Sequence, residues 1–190
     1  MKISKDMNND VAEILLSEET IRARIKEMGA QISRDYADCG THDLILLCIL
    51  RGASVFFADL ARAITIPVQY EFMGISSYGN EQKTSGIVRI TKDTDTSITG
   101  KHVLIAEDIM DSGLTLSHLT QLLNSRNPAS LKVCCLLDKP ERRECAITPD
   151  YCGFIIPNKF VVGYGLDYAG IYRNLPYVGV LKPEVYEQED

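Results

Sequence analysis

The chain has 190 residues, 45% of them hydrophobic, with a net charge of −6 from 20 basic and 26 acidic side chains. That is material for one domain with one core, and the acidic balance argues against a nonspecific nucleic-acid surface, which is normally basic. The longest apolar run, residues 44–50, is too short to span a bilayer, and residues 1–10 are polar without an apolar signal core, so a cytoplasmic chain with no membrane partner is expected.

Residues 1–10 are expected to fray. Residues 11–16 can form a strand and Ser17 can cap the helix after it. There Ile21, Ile25, Met28, Ile32 and Tyr36 recur at steps of three and four, one helical face, with Gly40 as the stop. Residues 44–50 read as a buried strand, 51–54 as a turn, 55–64 as a helix, and the alternation of Val68, Tyr70 and Phe72 as a second strand. Strand, helix, strand implies a parallel pair joined by a crossover. Residues 74–86 are polar and long for a loop inside a compact domain, which fits a functional lid or a hairpin tip; Tyr78 is the aromatic that could close over a ligand. A strand at 87–90 and a polar connection at 92–101 lead to a second unit: strand 103–106, helix 115–125, strand 131–137. A charged loop follows at 138–144, then strands at 151–156, 160–164 and 177–181, with Pro157 and Asn158 turning the chain. The polar tail 184–190 has no assigned role. The six cysteines contain no C-x-x-C pair, and Cys48, Cys134 and Cys135 sit in apolar runs as small hydrophobes. The whole, 1–190, reads as one α/β domain with a small subdomain near the carboxyl ends of the strands.

The chemistry concentrates at residues 102–116. Apolar residues 103–106 are followed by two adjacent acids, Glu107 and Asp108, then by a short loop with Asp111, Ser112, Gly113 and Thr115. Leu116, Leu119, Leu122 and Leu123 then recur at helical spacing. A helix start offers unpaired N–H groups and a positive dipole end, Ser112 and Thr115 add hydroxyls, and Gly113 allows close backbone approach, so this loop can cradle a phosphate. The acid pair would repel a bare phosphate but suits ribose hydroxyls or hydrated Mg²⁺. A sugar phosphate presents both. Read locally, the same residues could be an acidic loop with Asp111 or Ser112 capping a helix.

The run Glu107, Asp108, Ile109, Met110, Asp111, Ser112, Gly113, Leu114, Thr115 resembles the phosphoribosyl-pyrophosphate motif of type I phosphoribosyltransferases, most closely that of the hypoxanthine-guanine members. The resemblance spans about 44–182 and implies that family's fold: a central mostly parallel sheet flanked by helices, a small hood subdomain and a mobile lid loop. It implies a pyrophosphate-binding turn at Arg51 and Gly52, with an unusual cis peptide before Arg51, where many relatives carry lysine. It gives Lys139 as the donor to a purine 6-oxo group, since an ammonium donates and cannot accept. It gives Phe160 as the ring stacking on the base opposite Ile109, the Val161 backbone at the base edge, Asp167 as a purine-side residue that binds a second Mg²⁺, Arg173 at the pyrophosphate, and Ser77 and Tyr78 in the lid. Taken singly, Lys139 would be a solvated loop lysine, Phe160 core, Asp167 a cap and Arg173 an ion-pair partner.

The implied reaction moves 5-phosphoribose onto N9 of hypoxanthine or guanine and releases pyrophosphate. Asp111 is the expected acid/base at purine N7, and Glu107, Asp108 and Asp167 are the expected Mg²⁺ ligands. The expected partners are these small molecules, with no nucleic acid, in a homodimer or homotetramer. Two alternatives stand beside this reading: an RNA-binding regulator of the same fold, which the acidic charge disfavours, and a xanthine-preferring enzyme, on which the sequence is mute. A P-loop nucleotidase lacks its motif.

Overall fold

The structure, a computed structural model, describes residues 3–77 and 88–187. Its centre is β2 (Leu44–Leu50), whose residues from Leu44 to Ile49 are no more than 3% exposed. Alternate residues feed two cores: Leu44, Leu46 and Cys48 join one, Ile45, Leu47 and Ile49 the other. A strand buried on both faces needs the unbroken apolar run seen in the sequence. β5 (His102–Met110) and β6 (Ser130–Asp138) divide in the same way, with Leu104, Ala106, Cys134 and Leu136 on one side and Val103, Ile105, Val133 and Cys135 on the other.

Adding β3 (Gln69–Ser77), β4 (Val88–Lys92) and β7 (Tyr151–Ile155), the main sheet runs β4-β3-β2-β5-β6-β7. Only the β3–β4 pair is antiparallel. The first core is covered by α1 (Glu18–Asp35) and α2 (Ser54–Ala63), the second by α3 (Leu114–Asn124). The two covering helices touch at Gly29, where a Cβ would lie 2.6 Å from Ala63, so the close crossing needs the missing side chain. A second sheet, β1-β9-β8, joins β1 (Val11–Leu16), β9 (Val178–Leu181) and β8 (Val161–Val162) antiparallel and forms the small subdomain.

Several boundaries differ from expectation. β5 continues through Glu107 and Asp108 to Met110, because Glu107, Ile109 and Met110 pair with Cys135, Leu137 and Asp138 of β6. α1 stops at Asp35, with the Tyr36 N–H bonding back to Ile32, so Gly40 does not end it. Residues 74–77 of the expected lid belong to β3; the rest of that stretch, including Tyr78, lies outside the described residues. The expected frayed N-terminus is corrected too. Met7–Asp10 form a 3-10 turn, and Asp10 is buried, accepting from Ser4 N–H at 2.9 Å and from Tyr172 OH at 2.7 Å. The tail carries α4 (Pro183–Tyr186), whose Val185 packs into the small subdomain's core.

Candidate active site

From β2 the chain crosses over to β3, from β5 it crosses the other way to β6, and β2 and β5 are neighbours. Such a reversal opens a crevice at the carboxyl ends of the two strands. β2 leaves it through Arg51 and Gly52, with a cis peptide between Leu50 and Arg51. Gly52 is enclosed: a Cβ there would lie 1.7 Å from Asp108 Oδ2, and a Cβ on Gly165 would lie 2.1 Å from the Gly52 carbonyl oxygen. Any side chain at either glycine would separate three segments that meet at the crevice. The Arg51 side chain is exposed.

Near its carboxyl end β5 carries Glu107 and Asp108. Asp108 is 8% exposed, and its Oδ1 accepts from the Ile109 N–H at 2.8 Å. Burial, and then the adjacent Asp108 charge, pushes Glu107 well above the usual carboxylate range. Burial raises Asp108 as well, against the hydrogen bonds it receives. Two acids crowded in a desolvated place favour a shared proton until a cation or hydroxyl donors arrive.

The loop then turns at Gly113, at φ +80°, where a Cβ would meet Ile147 Cγ2 at 2.7 Å. Gly113 occupies the cap position of α3, so neither Asp111 nor Ser112 caps it; Ser112 Oγ is a long 3.4 Å from the Leu114 N–H. The positive end of α3 is left without a side-chain cap, facing a cavity of about 230 Å³ lined in part by Gly52, Glu107, Asp111, Ser112, Gly113 and Thr115. Ile109 lines the same cavity. Leu114 is the first helical residue. A segment that sequence reasoning missed braces this loop: Arg143 Nη1 donates to the Asp111 carbonyl at 2.7 Å, Glu144 N–H to the Ser112 carbonyl at 2.9 Å, and Arg143 also pairs with Asp138. The bonds to Asp111 and Ser112 join residues 32 positions apart and leave no local sequence pattern. The Asp111 carboxylate faces Arg142, with Oδ1 2.6 Å from Nε.

On the next strand end, Lys139 is 6% exposed and its Nζ donates to the Lys159 carbonyl at 2.7 Å. Burial pulls its ammonium below the usual lysine range, and the Asp111 charge opposes that pull. Lys139 is thus a buried donor and not a solvated loop residue. It points to the segment bearing Phe160, which is 41% exposed, stacks on Tyr186 at 4.8 Å and 20°, and meets Tyr168 edge-on at 5.7 Å. Val161 begins β8 and pairs with Val180. Tyr186 was not anticipated, since the tail had no recognisable pattern.

Asp167 and Arg173 face each other across one loop. Arg173 Nη2 is 2.6 Å from Asp167 Oδ1, Arg173 Nη1 donates to the Gly165 carbonyl at 2.6 Å, and the Gly170 N–H donates to Asp167 at 2.8 Å. Ser77 ends β3, with its backbone paired to Val88.

Glu107, Asp108 and Asp167 do not form one metal cage: among the described residues no three such side chains converge. Mg²⁺ seldom needs a cage, since it usually keeps waters and takes one or two carboxylates plus substrate phosphates. Asp108, buried, and Glu107, half-buried and lining the cavity, fit a site completed by substrate and Mg²⁺.

Residues 11–169 match the phosphoribosyl transferase domain family. The chain is 53% identical to the hypoxanthine-guanine phosphoribosyltransferase of Mycobacterium tuberculosis, over 94% of this chain and 90% of that one. It is 50% identical to the enzyme of that name from Bacillus subtilis, over 95% and 99%. A crystal structure of a hypoxanthine phosphoribosyltransferase from Staphylococcus aureus superposes with a TM-score of 0.92 at 46% identity, covering 98% of this chain and 100% of that one. With this likeness of fold and this sequence similarity over nearly its whole length, the chain belongs to the phosphoribosyltransferase family, alongside its hypoxanthine-guanine members.

Proposed function

We propose that this protein is a purine-salvage transferase that moves the 5-phosphoribosyl group of phosphoribosyl pyrophosphate to N9 of hypoxanthine or guanine, giving IMP or GMP and pyrophosphate. The observation that carries this reading is one crevice with three features. It has an uncapped helix start for a phosphate, a buried Asp108 with half-buried Glu107 beside it for a diol, and a buried ammonium one strand away for a 6-oxo group.

The 5′-phosphate rests on the backbone N–H groups of residues 111–115, with Ser112 and Thr115 hydroxyls beside them. Glu107 and Asp108 accept from the ribose hydroxyls. Glu107 and Asp108 would hold one hydrated Mg²⁺ and Asp167 a second, and the ions would supply neutralisation of the leaving pyrophosphate. Arg173 and the Arg51–Gly52 turn bind that pyrophosphate as the C1–oxygen bond breaks and C1 becomes cationic. Asp111 takes the purine proton at N7 while N9 forms the new bond to C1. Phe160 and Ile109 flank the base, the Val161 backbone meets its edge, and Lys139 donates to O6. The family resemblance also implies a lid, beginning where β3 ends at Ser77, that would exclude water. The reading treats residues 1–190 as one cytoplasmic catalytic unit, assembled as a dimer or tetramer; sedimentation velocity reads the assembly.

Spectrophotometric turnover of hypoxanthine or guanine with phosphoribosyl pyrophosphate and Mg²⁺, absent with chelator, tests the reading. Turnover of neither base would overturn it.

A further inference from the structure

The loop carrying Asp167 and Arg173 is bounded by two tyrosines in the left-handed backbone region, Tyr164 at φ +50° and Tyr172 at φ +77°. Bulky residues seldom hold that conformation unless the surroundings fix it. Both rings are buried, Tyr164 at 4% exposure and Tyr172 at 0%. Each hydroxyl donates to a carboxylate from a distant part of the chain. Tyr172 bonds Asp10 Oδ2 at 2.7 Å, 162 positions away, and Tyr164 bonds Asp59 Oδ2 on α2, 105 positions away.

We infer that Tyr164 and Tyr172, through Asp59 and Asp10, are positioning residues that hold the 165–173 loop so that Arg173 and Asp167 are set in advance for pyrophosphate. The inference rests on the reading of Arg173 and Asp167 given above. The backbone bonds of the segment stay local: Leu166 exchanges two bonds with Gly163 at 3.0 Å, the Gly165 N–H donates to the Arg173 carbonyl at 2.9 Å, and Tyr168 and Ile171 bond each other at 3.0 and 3.2 Å. Gly170, at φ +82°, would meet nothing with a Cβ, so its side of the loop is unpacked. The two hydroxyl–carboxylate bonds tie the loop to distant segments, beside the packing of Leu166 in the main core and of Tyr168 against Phe160. The Asp10 end is built for permanence. Ser4 donates to it twice, from N–H at 2.9 Å and Oγ at 2.6 Å, while the Lys182 N–H and Nζ bond the carbonyls of Asp10 and Asn9 at 2.9 and 2.7 Å. Arg173 is the residue directly after Tyr172, so a shift of that ring moves the guanidinium. Preorganised charge contributes most to catalysis when it needs no rearrangement at the moment of reaction.

The test uses Tyr172→Phe and Tyr164→Phe, which remove one oxygen each and keep the rings. Three quantities are read: KM and kcat for phosphoribosyl pyrophosphate, Kd for Mg²⁺-pyrophosphate by calorimetry, and hydrogen exchange of the 165–173 amides. We expect KM and Kd to rise about tenfold for Tyr172→Phe, the scale of one charge-assisted hydrogen bond. Loop exchange should speed up, and KM for the purine base should hold. Asp10→Asn, which keeps an oxygen acceptor, should retain more of the affinity than Asp10→Ala. A lower Tm with unchanged pyrophosphate affinity and unchanged loop exchange in both tyrosine variants would make the anchors merely structural and overturn the inference. If the wild type turns over neither base, the calorimetry and exchange arms still decide it.

Discussion

Replacing Gly52 with alanine isolates one contact. The added methyl would sit 1.7 Å from Asp108 Oδ2 and 2.8 Å from its Cγ. Ordinary contact begins near ~3.5 Å, so the carboxylate must retreat by about 2 Å. Asp108 is buried at the end of β5 and bonded to the Ile109 N–H. A retreat breaks that bond and carries the acid away from the ribose position. Leaving a buried acceptor unpaired costs about 1–3 kcal/mol. Displacing a binding group by 1 Å can cost roughly 10² in rate. The atom displaced is the end of a side chain and Gly52 has no positive φ, so the backbone can stay where it is. The expected result is a kcat/KM for phosphoribosyl pyrophosphate lowered about 10²-fold or more, with far-UV circular dichroism unchanged and Tm lowered by only a few degrees. Steady-state kinetics with a thermal melt read this directly. Wild-type kcat/KM in the alanine variant would refute the claim that Gly52 exists to let Asp108 approach.

Asp111→Asn should bind phosphoribosyl pyrophosphate normally by calorimetry while kcat falls about 10²–10⁴-fold, the usual weight of a general base; an unchanged kcat would remove Asp111 from proton transfer. Lys139→Gln should raise KM for hypoxanthine and guanine tenfold to a hundredfold, since a charged donor's hydrogen bond is worth about 1.5–3 kcal/mol; unaltered KM and kcat for both bases would take Lys139 out of the site. Asp10 gives a pH test. Burial pushes its carboxyl up, but bonds from Ser4 and Tyr172 outweigh that and hold it below its ordinary value of 3.8. A depressed acid adds stability above its unfolded pKa and loses it as pH falls through the folded one. The Tm of wild type should therefore drop from pH 5 toward pH 3 more steeply than that of Asp10→Asn, and parallel Tm curves would contradict it.

The sheet was legible because a strand buried on both faces must be apolar without interruption, as at residues 44–50 and 133–137. The parallel pairings of β2 with β3 and of β5 with β6 followed from strand, helix, strand successions. The end of β5 was not legible: Glu107 and Asp108 look like loop residues, and only pairing with β6 keeps them in the ladder. The N-terminus was misjudged for the same reason. Asp10 is ordinary polar sequence until Tyr172, 162 positions later, arrives to bond it. At the site, the Asp111–Thr115 loop was legible because its chemistry is local, a phosphate cradle written in consecutive residues. The brace by Arg143 and Glu144, the stacking of Tyr186 on Phe160, and the enclosure of Gly52 by Asp108 and Gly165 depend on segments remote in sequence. Lys139 shows the boundary between the two. Its residue type was informative, but its burial and its bond to the Lys159 carbonyl could only come from the fold.

The most direct test of the account is turnover with phosphoribosyl pyrophosphate and Mg²⁺, offering hypoxanthine, guanine, xanthine and adenine separately, each with a chelator control. Metal-dependent formation of IMP or GMP with adenine inert is the expected result, because the buried Lys139 ammonium can donate to a 6-oxo group and cannot accept from a 6-amino group. Turnover of adenine at a comparable rate, or of no base at all while phosphoribosyl pyrophosphate still binds, would contradict it.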